Sequence, residues 1–370
     1  MKYTRQLFKT KDIYDPEKTD GLFLRAMKEN AIFHDHHCEE YRRILEEFDF
    51  RPDEIKGMED LVQLPFLPML YFKHNHLQSV PEKKQLIKAT SSGTSGSMSR
   101  IGFDLNTLLL GKDMVIRVGK YHRLWSVKPV NYIIFGYEPT RENKTAVSKT
   151  AYGFTFFAPA RSRTFALEKG RSGYELRWDR VFQAMEKASK SSFPMRTIGF
   201  PAYTWFLLKE MEKKGIRYRM PPGSMVTLGG GWKQFYAQKV EKEEFYQLVE
   251  KVLGIDESHV VEFFGAVEHP ILYTDCCCHH FHIPAYSRVI IRNPDDFSPL
   301  PDGQPGLINL LTPMMQSAPL LSVMTDDLGI LHREKCPCGA KAPWLEIIGR
   351  VGIRDIVTCA AGAEEYLQKG

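Results

Sequence analysis

The sequence has no long apolar run. Its most apolar stretch, residues 306–324, is broken by Asn309, Pro313, Gln316 and Pro319, so no membrane span is expected. The opening residues, MKYTRQLFKTKDIYDPEK, lack the continuous apolar core of a secretory signal. A cytoplasmic location is the resulting expectation. No long basic run or stripe occurs either. Against 50 Lys and Arg stand 45 Asp and Glu, a net charge of only +5, which argues against a nucleic-acid or membrane-surface partner. Internal repeats and low-complexity segments are also lacking.

What remains is an ordinary globular composition, 43% hydrophobic and 26% charged over 370 residues. That length suits two or three domains, or one large domain with subdomains, and buries a core without staples. Cysteine is sparse but clustered. Of Cys38, Cys276, Cys277, Cys278, Cys336, Cys338 and Cys359, five sit in two tight groups. In a reducing compartment such groups favour metal or thiol chemistry over disulfides.

Periodicity predicts helices over residues 17–48, 105–125, 181–190, 204–214 and 233–253. Residues 59–80 read as a short helix followed by a loop. Strands are predicted at VNYIIFGY (130–137), RTIGFPA (196–202), MVTLGGG (225–231) and HVVEFFGAVE (259–268), the last three running into turns. Alternating strands and helices through the middle imply an α/β fold with a largely parallel sheet. Functional loops belong at the carboxyl ends of its strands. From about Tyr286 onward, SRVIIR, GLINLL, PLLSVM, GILH and LEIIGRVG follow one another without helices. They predict an antiparallel or barrel-like β subdomain.

Between them lies KATSSGTSGSMSRIGFD (88–104). Gly93 and Gly96 allow the backbone to turn its amides inward. Ser91, Ser92, Thr94, Ser95 and Ser97 add hydroxyl donors, and Arg100 closes the run. A concave set of donors without a carboxylate suits a polyphosphate. The GK[ST] ending of a Walker A loop is absent. By composition alone the segment also reads as a plain surface loop.

SSGTSGSMSR resembles the phosphate loop of adenylate-forming enzymes, the acyl-CoA and acyl-protein ligases, with Met98 and Ser99 in place of that family's Pro-Lys. Further resemblances follow in order. LGGGW (228–232), with Gly229 and Gly230, is similar to the glycine turn beside the adenine. FFGAVE (263–268) resembles aromatic-Gly-x-Thr-Glu, with Val267 replacing Thr. The resemblance implies that Phe264 stacks on adenine ahead of Gly265 and that Glu268 holds Mg²⁺. TDDL (325–328) resembles Thr-Gly-Asp-Leu, so Asp327 is the implied ribose ligand. IGRVG (348–352) resembles the Gly-Arg hinge and puts Arg350 near the nucleotide. Each residue also has a plain structural reading: Glu268 at the surface, Asp327 in a turn, Arg350 in a structural pair.

CCCHHFH (276–282) and CPC (336–338) offer ligands for a tetrahedral zinc. One Cys of the first group, His282, Cys336 and Cys338 make four. Members of the phenylacetate-CoA ligase branch have a similar Cys-x5-His and Cys-x-Cys arrangement. That spacing pairs Cys276 with His282, and Cys278 is the alternative. HDHHC (34–38) is set aside as a metal site, because neighbouring residues on a helix point apart.

After Arg350 only VGIRDIVTCAAGAEEYLQKG remains, too short for the family's usual C-terminal domain with its catalytic Lys. Lys233 is a candidate replacement, or else a solvated residue at a helix start. In length and order of motifs the chain resembles the LuxE-type acyl-protein synthetases. Those make an acyl-AMP, hold the acyl group as a thioester on a C-terminal Cys, and pass it to a partner reductase. Cys359 occupies the corresponding place, in a small-residue segment that gives a thiolate reach; its structural reading is an inert, packed thiol.

The implied division is a helical region at 1–80, an α/β adenylation core at 81–285, a β-rich subdomain at 286–348 and a hinge with tail at 349–370. The expected cofactors are ATP, Mg²⁺ and a structural Zn²⁺. The expected partners are a carboxylic acid, which the LuxE resemblance implies is fatty, an acyl-acceptor protein and, in the alternative, CoA. The alternatives are an acyl- or aryl-CoA ligase with the same adenylation site and a non-catalytic scaffold. The apolar segments 130–140 and 199–208 are candidates for the acid's pocket, and most of their residues also read as core.

Overall fold

The computed structural model describes residues 1–90, 99–138, 151–170, 174–232, 235 and 238–350. They fall into two compact units. The first holds the described parts of 1–90, 99–121 and 265–350, the second those of 122–264.

The second unit is the α/β part. Its strands lie in the order Val260–Phe264, Met225–Gly229, Met195–Gly199, Val130–Tyr137, Ala160–Lys169, Tyr174–Leu176. The first five are parallel and the last pairs antiparallel. Helices bury apolar stripes at helical spacing: Val181, Met185 and Ala188 on Trp178–Ser189, and Phe245, Leu248, Val249 and Val252 on Lys242–Leu253. The chain runs from Val130–Tyr137 outward to Ala160–Lys169. It then returns to the other side of Val130–Tyr137 with Met195–Gly199 and continues outward. The reversal between Val130–Tyr137 and Met195–Gly199 is a topological switch point, where open α/β sheets bind ligands at their carboxyl ends. Phe135 of the first apolar segment suggested for the acid thus lies opposite Gly199, where the second begins. Most of the second one is core: Ala202, Tyr203, Trp205, Leu207 and Leu208 are buried in helix Pro201–Lys213.

Two expectations in this unit change. The last helix begins at Lys242, not 233. Glu241 is extended there, and Glu243 and Glu244 occupy the first turn, where the helix dipole favours negative charge. Strand Ala160–Lys169 was not expected. Arg161 and Arg163 hide it, although Phe165, Ala166 and Leu167 are buried.

The first unit is built on an antiparallel sheet. Its order is Phe281–His282, Trp344–Arg350, Ser322–His332, Gly306–Leu311, Arg288–Arg292. Leu67–Pro68 adds a short parallel pairing to Ser322–His332. PLLSVM and GILH, expected as separate strands, contribute to one. DDLG reads as a turn in sequence, but Gly329 is needed for a close approach. A Cβ there would lie 2.5 Å from the Glu346 carbonyl oxygen. The predicted helix over 17–48 is two, Pro16–His37 and Glu39–Glu47, parted at an extended Cys38. Helix Leu105–Tyr121 ends earlier than expected and is capped by Asp104, whose Oδ1 accepts the Thr107 amide at 2.8 Å.

Strands Gln85–Thr90 and Arg100–Asp104 form a hairpin, with Thr90 opposite Arg100. Residues 91–98, between these strands in sequence, lie outside the described residues. Among the described residues, no helix is long and apolar enough to cross a membrane.

Candidate active site and candidate metal centre

In the second unit, Gly229 ends strand Met225–Gly229 and Phe264 ends strand Val260–Phe264. The strands are neighbours, with Gly229 opposite Phe263. Both motif residues thus stand at carboxyl ends of parallel strands. Gly230 and Gly231 follow at φ 83° and 67°, left-handed conformations that side chains disfavour.

In the first unit, Asp327 and Arg350 face each other across antiparallel strands. Arg350 Nη2 lies 3.1 Å from Asp326 Oδ2, and its Nε lies 3.9 Å from Asp327 Oδ1. Asp327 is a strand residue rather than a turn residue. Thr325 Oγ1 accepts its amide at 3.1 Å and donates to the Ile308 carbonyl at 2.9 Å. Arg100 opens its strand and is exposed.

Glu268 is only 4% exposed, so its surface reading does not hold. No described residue is recorded as a hydrogen-bond or ion-pair partner of its carboxylate. A buried carboxylate without a partner is costly unless a cation compensates it. Next to it, His269 is fully buried, with Nε2 at 2.9 Å from Tyr273 Oη and 3.2 Å from Ser287 Oγ. Sequence reasoning missed this cluster, whose members are scattered and share no motif. Ser92, Gly93, Thr94, Ser95, Gly96, Lys233 and Cys359 lie outside the described residues.

Cys276, His282, Cys336 and Cys338 converge, with ligand atoms all within 4.8 Å of one another. Cys276 Sγ and Cys336 Sγ are 3.8 Å apart, and His282 Nε2 is 3.2 Å from Cys338 Sγ. That is far beyond a disulfide bond length of about 2.05 Å. It matches the S···S edge of about 3.8 Å in a tetrahedron with Zn–S near 2.3 Å. His282 Nδ1–H donates to the Ala342 carbonyl at 2.9 Å, which leaves the Nε2 lone pair for a metal. Amides of Cys278 and Ala340 donate to the sulfurs of Cys276 and Cys338 at 3.3 and 3.4 Å. Cys278 supports the group through its backbone and is not one of the four. Burial pushes the Cys276 and Cys336 thiols up to about 11. A bound cation would reverse that preference. The donor set fits zinc.

The HDHHC segment is structural where it is buried. His34 Nδ1 is 2.7 Å from Ser79 Oγ and its Nε2 3.1 Å from the Met315 carbonyl. Desolvation lowers its pKa to about 3.

Residues 13–368 match the sequence profile of the family described as acyl-protein synthetase, LuxE. The chain belongs to that family. This LuxE-family chain is a ligase, and its chemistry is ATP-dependent acyl activation and transfer. It is similar to the long-chain-fatty-acid–luciferin-component ligase of Aliivibrio fischeri, 24% identical over 349 residues, covering 93% of this chain and 88% of that one. The same-named ligase of Vibrio harveyi is 25% identical over 343 residues, covering 92% and 86%. A phenylacetate-coenzyme A ligase from Thermus thermophilus is 24% identical over 311 residues, covering 81% of this chain and 62% of that one. Among solved structures, 2-hydroxyisobutyryl-CoA ligase in complex with 2-HIB-AMP superposes with a TM-score of 0.68 at 16% identity, covering 92% of this chain and 70% of that one. That likeness supports the adenylate-forming α/β fold expected from the motifs.

Proposed function

We propose that this LuxE-family ligase activates a long-chain fatty acid as its acyl adenylate and passes the acyl group to a protein thiol. The observation that carries the site is Glu268, a buried carboxylate without a described partner at the position where the family motif calls for a metal ligand. In this reading Glu268, with Thr94, holds Mg²⁺, which neutralises phosphate charge. Asp327 accepts the ribose hydroxyls, as two carboxylate oxygens can. Phe264 stacks on adenine beside the turn at Gly229 and Gly230. Ser92, Gly93, Thr94, Ser95, Gly96 and Arg100 grip the phosphates. Arg350, paired with Asp326, stays close to Asp327, and Lys233 is the candidate second cation.

The acid's carboxylate oxygen attacks the α-phosphorus, and the bond to the bridging oxygen breaks to release pyrophosphate. A thiolate then attacks the acyl carbon, and the bond to AMP breaks. These residues act by orientation and charge compensation. Cys359 is the proposed first acceptor. The onward acceptor is a partner acyl-protein reductase or similar protein. Cys276, His282, Cys336 and Cys338 hold a structural zinc. A cytoplasmic location completes the proposal.

The test is a single-turnover incubation with ATP, Mg²⁺ and a panel of carboxylic acids, read by intact-protein mass. An acyl increment that requires ATP and disappears in Cys359→Ser supports the proposal and names the acid. AMP release on adding CoA, without an increment, moves the activity to CoA ligation. Failure to bind ATP at all favours the scaffold alternative.

A further inference from the structure

Glu268 is aimed by something other than its own contacts. It is buried, yet no hydrogen bond or ion pair among the described residues holds the carboxylate itself, and its backbone belongs to the segment 265–273. That segment is tightly turned. The His269 amide donates to the Ala266 carbonyl at 3.2 Å, and the Ile271 amide to the His269 carbonyl at 2.8 Å. A Cβ on Gly265 would stand 3.0 Å from the Ile271 carbonyl oxygen.

Buried side chains in and beside the turn meet in one cluster. His269, Tyr273 and Ser287 are all 0% exposed. His269 Nε2 meets Tyr273 Oη at 2.9 Å and Ser287 Oγ at 3.2 Å. Tyr273 Oη and Ser287 Oγ are 2.6 Å apart. Ser287 donates to the Leu311 carbonyl at 2.9 Å, the last residue of strand Gly306–Leu311. One proton arrangement satisfies the two hydroxyls and Nε2, while His269 Nδ1 is buried without a hydrogen-bond partner among the described residues. Ser287 O–H points to Leu311, Tyr273 O–H to Ser287, and His269 Nε2–H to Tyr273. The network ties the residue next to Glu268 to the antiparallel sheet. Buried networks of this kind rigidify what they hold.

We infer that His269, locked by Tyr273 and Ser287, is a positioning residue that sets the direction of the Glu268 carboxylate toward the nucleotide-bound divalent cation. This rests on the proposed role of Glu268. Metal affinity is sensitive to the groups that orient its ligands, with losses of about 10- to 100-fold when they are removed.

The test uses the full chain with a non-hydrolysable ATP analogue and Mn²⁺ as the probe, with free Mn²⁺ read by electron paramagnetic resonance. Glu268→Gln, His269→Leu, Tyr273→Phe and His269→Gln are compared with the parent. Analogue affinity without metal is measured alongside. His269→Leu and Tyr273→Phe should weaken Mn²⁺ binding about tenfold while metal-free analogue affinity stays at the parent value. His269→Gln, which can still reach Tyr273 with an amide, should recover most of the loss. Parental Mn²⁺ affinity in both His269→Leu and Tyr273→Phe, with Glu268→Gln weakened, overturns the inference alone. Unchanged affinity in Glu268→Gln removes the role of Glu268 first, and this inference with it. If His269→Leu does not fold, Tyr273→Phe decides the matter, since it deletes one hydroxyl and keeps the ring.

Discussion

Two buried residues of the first unit make opposite demands on their surroundings. Glu268 is buried without a recorded protein partner, whereas His34 has a partner on each ring nitrogen. The first is open to a cation, as the proposed function requires, and the second is a closed structural bond set. Glu268→Gln should therefore lower pyrophosphate release about 100-fold or more and leave the unfolding temperature unchanged or raised. A variant with the parental rate would remove Glu268 from the site. For His34 the consequence is a pH dependence. Its folded pKa is about 3, below an unfolded value near 6.5. The contribution to stability is complete above about pH 6.5 and is lost progressively as pH falls from there toward 3. The urea midpoint should drop between pH 7.5 and pH 5, and drop less in His34→Gln. Equal slopes for parent and variant would show that other groups carry the acid sensitivity.

At the scale of elements, the Cys/His cluster shows where sequence stops being sufficient. Spacing offered Cys276 or Cys278, and strand pairing chooses. Phe281–His282 lies against Trp344–Arg350, with His282 opposite Trp344, and that register brings Cys276 to Cys336. Cys276→Ser should lose bound zinc, while Cys278→Ser should retain it, as metal analysis of the purified variants would show. Zinc binding near pH 7 should also release about three protons, because all three thiols are raised by burial. Calorimetry in buffers of different ionisation enthalpy reads that number. Other elements were legible for plain reasons. VNYIIFGY is a continuous apolar run and forms strand Val130–Tyr137 as expected. Residues 160–169 carry two arginines, so their pattern hides a strand that only the neighbouring parallel strand makes sense of. The motif order points to Glu268, Asp327 and Arg350. It was blind to His269, Tyr273 and Ser287, which meet only after folding and make no signature along the chain.

For the whole molecule, the division into two units separates their responses. The four candidate metal ligands and the antiparallel sheet belong to the first unit, and the parallel strands from Val130–Tyr137 to Val260–Phe264 with their helices to the second. Chelation should lower the thermal unfolding temperature of the first unit by several degrees, since a ligand bound only to the folded form stabilises it. The second unit's far-ultraviolet helical signal should persist to higher temperature. A single coincident transition before and after chelation would show that the units unfold as one cooperative body.

The order in which the chain emerges from the ribosome gives that division a direction. The described residues of the second unit all fall within 122–264, whereas those of the first come from both sides of that span. The second can therefore collapse while synthesis continues. The first must hold its helical N-terminal portion, apolar faces uncovered, until residues 265–350 arrive. Nascent chains stalled near residue 300 should expose the N-terminal helices to chaperones and proteases while the parallel sheet is already protected.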